Sequence, residues 1–580
     1  MKIINRITVF AIALFSVVSL SSFTFPGTPV AQRADKIYSN PGIADIFLKL
    51  FNIDSEENQN NNGLYFDIDD EGDKDLPDWA LLDPEKDGYE GTRTKTFFKY
   101  INSLPEKPQT SEVIVAVIDS GFDIDHPALK NNIWKNEKEV NGSAGVDDDN
   151  NGYIDDFNGW NFLGDAKYLN FEVTRELKRL KKEGVPESDP YYRRVKMEYD
   201  SERSDIKGTY EGLKESLQGL IDAEDVLKRG GYTTDPEKLK LTAEGLKGEY
   251  KSAAMVILTT YMFIGLTKEE LEKYTKEYEI KNKYLFDDRD PEELIGDDPN
   301  NLYEKGYGNN DVRSRDDDHG THVAGIIAAD KDGIGQAPFA RLMFLRAVPG
   351  EGDERDKDIA NAIRYAVDNG ADIINMSAGK YFSPNPEIVV EAIKYAEEKG
   401  VLFVVSAGNE SADIETTINY PRKFTNENGQ INYFDNMLVV GASSWMKSYN
   451  SSKDPENLSG GYDLVANFSN YSGKIVDVFA PGLEINSTIP NGKYERISGT
   501  SMASPEAAGV AAIIKAYFPE LTAAQLKEVL SNSVRKYDGL KVKVGDSGSK
   551  VSFSSLSRSG GVIDVMNAYE YAKKMKESVN

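Results

Sequence analysis

The sequence predicts an α/β fold: a doubly wound, mostly parallel sheet with helices on both faces, subtending a large, mainly helical insertion. Three observations carry this. Short apolar runs at 113–118, 341–348, 372–376, 401–406, 437–441 and 476–480 have strand length, and the first is the continuous β-branched run of a strand buried on both faces. Helix-period stretches such as 359–367 and 388–396 lie between them, so strand and helix alternate. Residues 165–310 break that rhythm: they are rich in Lys, Glu and Tyr, with Leu213, Leu217, Leu220 and Ile221 at helical spacing.

Along the chain, residues 1–25 place Lys2 and Arg6 before an apolar stretch that softens into Ser21-Ser22, the order of a signal peptide, so the mature chain is expected to be exported, to the periplasm, cell surface or medium. A retained signal anchor is the other reading. No later segment has the length and apolarity to span a bilayer. Residues 26–76 read as a linker or short pro-segment, polar and acidic around Asn58 to Asn62. Residues 77–164 and 311–580 form the two parts of the sheet domain, and 165–310 the insertion. Within the insertion, Thr267 followed by Glu270 has the spacing of a capping box, marking a helix start. The insertion is either a lid or docking element, or a solvated decoration. The tail returns to a helical pattern at 565–573.

Composition narrows the chemistry. The 580 residues, 39% hydrophobic, suffice for two to four domains. A net charge of −28 with no segregated basic patch argues against nucleic acid as a partner. The absence of cysteine removes thiol nucleophiles, disulfides, Fe–S clusters and thiolate zinc sites together. Any histidine base must be His126, His319 or His322.

In sheets of this class, polar residues at the carboxyl ends of strands line the ligand crevice. Asp119, Ser377 and Asn409 follow apolar runs. Three stretches offer the members of a proton relay: Asp119-Ser120-Gly121, His319-Gly320-Thr321-His322 and Gly499-Thr500-Ser501-Met502-Ala503. A serine hydroxyl needs an imidazole to take its proton and a carboxylate to orient that imidazole. The stretch Ser406-Ala407-Gly408-Asn409 offers a side-chain amide which, with the Ser501 N–H, could meet an oxyanion. The small residues Ala407 and Gly408 would admit a substrate backbone. The strand end Ser377-Ala378-Gly379 could pair with an extended peptide, giving the second wall of a cleft.

These four stretches, in the order acid, histidine, asparagine, serine, resemble the subtilisin-like serine peptidases, over roughly residues 77–163 and 311–575. The resemblance implies a parallel-sheet domain that hydrolyses peptide bonds through an acyl-enzyme, with polypeptides as substrates and no cofactor in the chemistry. It implies Asp119 as orienting acid, His319 as base, Ser501 as nucleophile and Asn409 as oxyanion donor, with Ser377, Ala378 and Gly379 lining the primary specificity pocket. Three departures stand out. Ala128 occupies the place of an acid that often ligates calcium, Glu506 follows Pro505 where many relatives carry histidine, and the insertion between acid and base is long.

His322, three residues after His319, lacks the His-Glu-x-x-His context of a zinc site and reads as a packed helix residue, and His126 likewise reads as structural. Asp147, Asp149, Asn151 and Asp155 present oxygens in a loop with Gly152 at the sixth place, as a calcium loop does, though the closing glutamate is missing. An acidic turn held by its own Asx hydrogen bonds fits the same residues. Asp353, Glu354 and Asp356 read either as a preference for basic substrates or as a solvated loop. The expected activity is a serine endopeptidase, general or of narrow processing specificity; the alternative is a silent surface or binding protein on the same fold. The sequence leaves the oligomeric state open.

Overall fold

The apolar run at 113–118 forms strand β1, Ile114–Asp119, buried from its second residue onward. In chain order the remaining strands of the main sheet are β2 (Gly159–Asn161), β3 (Arg341–Arg346), β4 (Ile373–Met376), β5 (Leu402–Ser406), β6 (Met437–Ser448), β7 (Asp463–Val465), β8 (Val478–Pro481), β9 (Arg535–Lys536) and β10 (Gly561–Val562). The sheet order is β9-β10-β8-β6-β5-β4-β1-β3-β2, with β7 paired to β6. All pairs are parallel except β6–β7 and β9–β10. This computed structural model describes residues 76–579 apart from 262–264, 315–316, 332, 418, 428–429, 449–462 and 545–549. The expected signal peptide and all but the last residue of the expected linker lie outside the described residues.

Six helices matter to the site: α1 (Glu172–Lys182), α2 (His319–Ala328), α3 (Asp356–Asp368), α4 (Pro386–Glu398), α5 (Thr500–Tyr517) and α6 (Val565–Val579). Alternate residues of a strand point to opposite faces. Accordingly Val115 and Val117 join a core with Val323 and Ile327 of α2 and Val510 and Ile514 of α5. Ala116 and Ile118 join a second core with Ile359 and Ile363 of α3 and Ala392 and Ile393 of α4. The sheet is therefore doubly wound. Strand order reverses at β1, whose neighbours are β3 and β4, and a crevice opens at the carboxyl ends of strands at such a switch point.

This domain comprises residues 76–186 and 287–580, so that 165–186 and 287–310, compositionally part of the inserted stretch, fold with the sheet. Residues 187–286 form a second compact unit of helices, including Pro190–Arg229, Glu249–Thr259 and Lys268–Tyr284. Within it Leu213 and Leu220 are buried, and Thr267 and Glu270 form the capping box. Among the described residues no helix is long and apolar enough to cross a membrane.

Candidate active site

Asp119 is the last residue of β1, at the switch point, and is 2% exposed. His319 opens α2, and its Nδ1 lies 2.7 Å from Asp119 Oδ1. The approach depends on Gly320: a Cβ there would fall 2.3 Å from the Gly121 carbonyl oxygen and 3.2 Å from Asp119 Cβ. Asp119 Oδ1 also accepts from the Ser120 backbone at 2.8 Å, whereas Oδ2 is buried without a hydrogen-bond partner among the described residues. Burial alone would depress the His319 imidazole, but the Asp119 carboxylate, by charge and hydrogen bond, and Asp317 beside it prevail and hold it up at about 9.

Ser501 lies in the first turn of α5, where backbone N–H groups have no partner within the helix. Pro505, four residues on, has no N–H to give the Ser501 carbonyl, and that oxygen accepts instead from Ser377 Oγ at 2.9 Å. The nucleophile candidate answers in kind, its Oγ donating to the Ser377 carbonyl at 3.2 Å. Behind them Asn375 Nδ2 donates to Ser377 Oγ at 3.1 Å and Ser504 Oγ to Asn375 Oδ1 at 2.6 Å, all buried. Helices α2 and α5 pack against each other, which brings the His319 and Ser501 elements together on one face of the sheet.

Asn409 follows β5. Its Oδ1 accepts from both N and Oγ1 of Thr500, each at 2.9 Å, which fixes the amide plane and leaves Nδ2 as its unspent donor. Thr500 Oγ1 also accepts from Gly408 N at 3.0 Å. Gly408 holds φ +97°, and a Cβ there would meet Asn470 Nδ2 at 2.5 Å, so only glycine fits. Ala378 and Ala407, both expected at the substrate, line a cavity of about 40 Å³ together with Ser406, Ile414 and Tyr420. Ser377 Oγ donates to the Ser501 carbonyl, and a Cβ on Gly379 would fall 3.0 Å from the Tyr420 carbonyl oxygen.

The other two histidines are packed. His322 Nε2 lies 3.0 Å from both the Ile485 and Glu495 carbonyls, and burial lowers its pKa to about 4. His126 Nε2 lies 3.2 Å from the Lys493 carbonyl while Nδ1 accepts from Ala128 N.

Of the four oxygen donors expected in the acidic loop, Asp147 and Asp149 converge, and their partner is Glu139: one carboxylate oxygen from each lies within 4.8 Å of the others. Asn151 turns its amide nitrogen toward Asp149 and Asp156, and Asp155 accepts from Gly145 N at 2.7 Å. Glu139 escaped the sequence reading because it sits outside the loop, on the short helix Glu137–Val140. Pro505, counted four residues back, marks the Ser501 carbonyl as lacking a helical donor, but nothing in the sequence points to Ser377 as the group that supplies one.

The arrangement defines a class: a carboxylate, an imidazole and a hydroxyl carried by β1, α2 and α5 at the switch point of a parallel sheet. A model of the subtilase family matches residues 110–550, and the chain belongs to that family. It is 39% identical over 217 residues to the thermophilic serine proteinase of Bacillus sp. (strain AK1), covering 36% of this chain and 46% of that one. It is 33% identical over 306 residues to subtilisin-like protease 1 of Plasmodium berghei (strain Anka), covering 49% and 46%. To the major intracellular serine protease of Bacillus subtilis (strain 168) it is 38% identical over 227 residues, covering 38% and 62%. The chain spans about half the length of these relatives. The crystal structure of a cold adapted subtilisin-like serine proteinase aligns at 28% identity over 44% of this chain and 76% of that one, with a TM-score of 0.31.

Proposed function

We propose that the protein is a serine endopeptidase in which Ser501 attacks the scissile carbonyl, His319 takes and returns the proton, and Asp119 fixes the imidazole. Turning about its Cα–Cβ bond, the Ser501 hydroxyl leaves the Ser377 carbonyl for His319 Nε2. As the Oγ–C bond forms, the proton passes to Nε2, and the carbonyl oxygen becomes an anion facing Asn409 Nδ2 and the Ser501 N–H. Collapse of the tetrahedral species expels the amine with the proton from His319. Water then repeats the sequence on the acyl-enzyme, and the acid product leaves with the serine restored.

The single observation that carries this reading is the 2.7 Å bond from His319 Nδ1 to Asp119, which assigns Nε2 to the substrate side. The charged amino terminus followed by an apolar run supports export, and the three converging carboxylates, all hard oxygen donors, fit a structural calcium ion at Glu139, Asp147 and Asp149. A fluorophosphonate probe tests the mechanism: the wild type is labelled and Ser501→Ala is not. Equal labelling of both would reject the assignment. Peptide-library cleavage then reads out the preference.

A further inference from the structure

The chain leaves β4 as Ser377-Ala378-Gly379-Lys380, and its last residue is an unexpected one to find inside a protein. Lys380 is 5% exposed. Its ammonium donates to Glu172 Oε2 at 2.7 Å and to the Glu354 carbonyl at 2.8 Å, and lies 2.9 Å from Asp356 Oδ1. Its backbone exchanges hydrogen bonds with Tyr420, at 3.1 Å and 2.8 Å.

Glu172 is the first residue of α1, in the inserted stretch. Arg175 grips it with two bonds, of 3.0 Å and 2.8 Å, and reaches on to the Asp353 carbonyl at 3.0 Å. Glu172 N in turn donates to Asp353 Oδ2 at 2.8 Å. Glu354 and Asp356 are 3% and 4% exposed, so the solvated loop expected at 353–356 is instead a buried polar socket. Charges sequestered this way are fixed in place, since losing one partner strands the rest without water.

The socket adjoins the candidate cleft. A cavity of about 460 Å³ opens beside the strand end, with Lys380, Glu354 and Asp356 on its polar side and Ile359, Met376 and Val389 on its apolar side. Resting on the peptidase reading above, we propose that Lys380 is a positioning residue for extended polypeptide substrates. Clamped by Glu172, Asp356 and the Glu354 carbonyl, it holds the strand edge at 377–380 and one wall of the adjoining cavity in register for substrate residues beyond the one at the scissile bond. Helix α1 of the inserted stretch is thereby part of the recognition apparatus.

The test compares a single-residue nitrophenyl ester, which engages only Ser501 and its small cavity, with a longer peptidyl anilide that runs along the edge. Rates are normalised to active sites counted with the fluorophosphonate probe. Lys380→Met lowers the ratio of kcat/KM for the long substrate over the short one by about tenfold, the loss residing in KM. Glu172→Gln moves the ratio in the same direction, and Lys380→Arg, which keeps charge and donors, restores most of it. Should Lys380→Met yield no labelled protein, Glu172→Gln carries the same prediction with the lysine still paired to Asp356. An unchanged ratio, or a loss in kcat shared by both substrates, overturns the positioning role while leaving the peptidase reading intact. A wild type inert toward both substrates defeats the peptidase reading, and this inference with it.

Discussion

Ser377 Oγ donates to the Ser501 carbonyl at 2.9 Å, in the place that the helical N–H of residue 505 would fill were it not proline. The helix that carries Ser501 is thus pinned by a side chain from the end of β4 rather than by its own ladder. Ser377→Ala leaves that oxygen without its donor and lowers kcat/KM by about tenfold, roughly 1.4 kcal/mol in the barrier. Pro505→Ala in the Ser377→Ala background supplies the missing N–H and recovers part of the loss. A double-mutant cycle on labelling rates measures the coupling, and additive effects would refute it.

The oxyanion assignment predicts a loss confined to turnover. Asn409→Ala reduces kcat by about 10²–10³ with little change in KM, the usual consequence of removing one donor that meets charge only in the transition state. Steady-state kinetics on a peptide substrate separate the two constants. An effect in KM alone would move Asn409 from catalysis to binding.

Against the cost of burial, Asp119 and Asp317 raise the His319 pKa to about 9. As a base it works only when neutral, so acylation climbs with pH until it levels near 9. The linkage to folding has the opposite sense: the raised pKa adds stability that is complete below the ordinary imidazole value of about 6.5 and is lost as pH rises through about 9. Asp119→Asn moves the kinetic limb toward about 6.5 while cutting kcat by about 10⁴. The pH dependence of fluorophosphonate labelling checks both movements.

Glu506 lies fully buried in α5, hydrogen-bonded to Gln336, and its Oε1 has no hydrogen-bond partner among the described residues. Burial raises its pKa to about 8. The folded state therefore binds this proton more tightly than the unfolded one, and stability falls as pH rises from about 4.5 through about 8. Glu506→Gln removes that slope and is the more stable protein above pH 8, by on the order of 5 kcal/mol. Denaturant titrations at acid and alkaline pH decide it. A variant less stable at both would show that the carboxyl earns its place another way.

A calcium ion held by Glu139, Asp147 and Asp149 would stabilise the fold by about 2.7 kcal/mol at a hundredfold excess over Kd, and the melting temperature would rise with the metal concentration. Calorimetry with calcium and with chelator reads this directly. Glu139→Gln abolishes the difference, and an identical melt in both conditions would leave the cluster an acidic turn.

Much of this was legible in the sequence where one physical force dominates. Strands β1, β3, β4 and β5 are apolar runs that have no other place to go than a buried sheet, and they fold within a few residues of the expected limits. Strand β6 runs on to Ser448, past the expected end at 441: Ala442 and Ser443 are small and carry no periodicity in the sequence, yet pairing with β8 and β7 holds them. Asp119 and His319 were readable because three histidines leave few choices. The socket around Lys380 was not: Glu172, Asp353, Glu354 and Asp356 look like solvent-facing charge until residues some two hundred positions apart neutralise one another. Glu139 was hidden for the same reason, its loop partners being separated from it in sequence.

From Ala507 to Ala516, nearly every residue of α5 is out of reach of water, so the rod that bears Ser501 is also the central pillar of its half of the molecule. A nascent or partly melted chain has no such pillar, and its serine is then an ordinary alcohol. On the peptidase reading proposed above, competence to cut would arrive only with the completed fold.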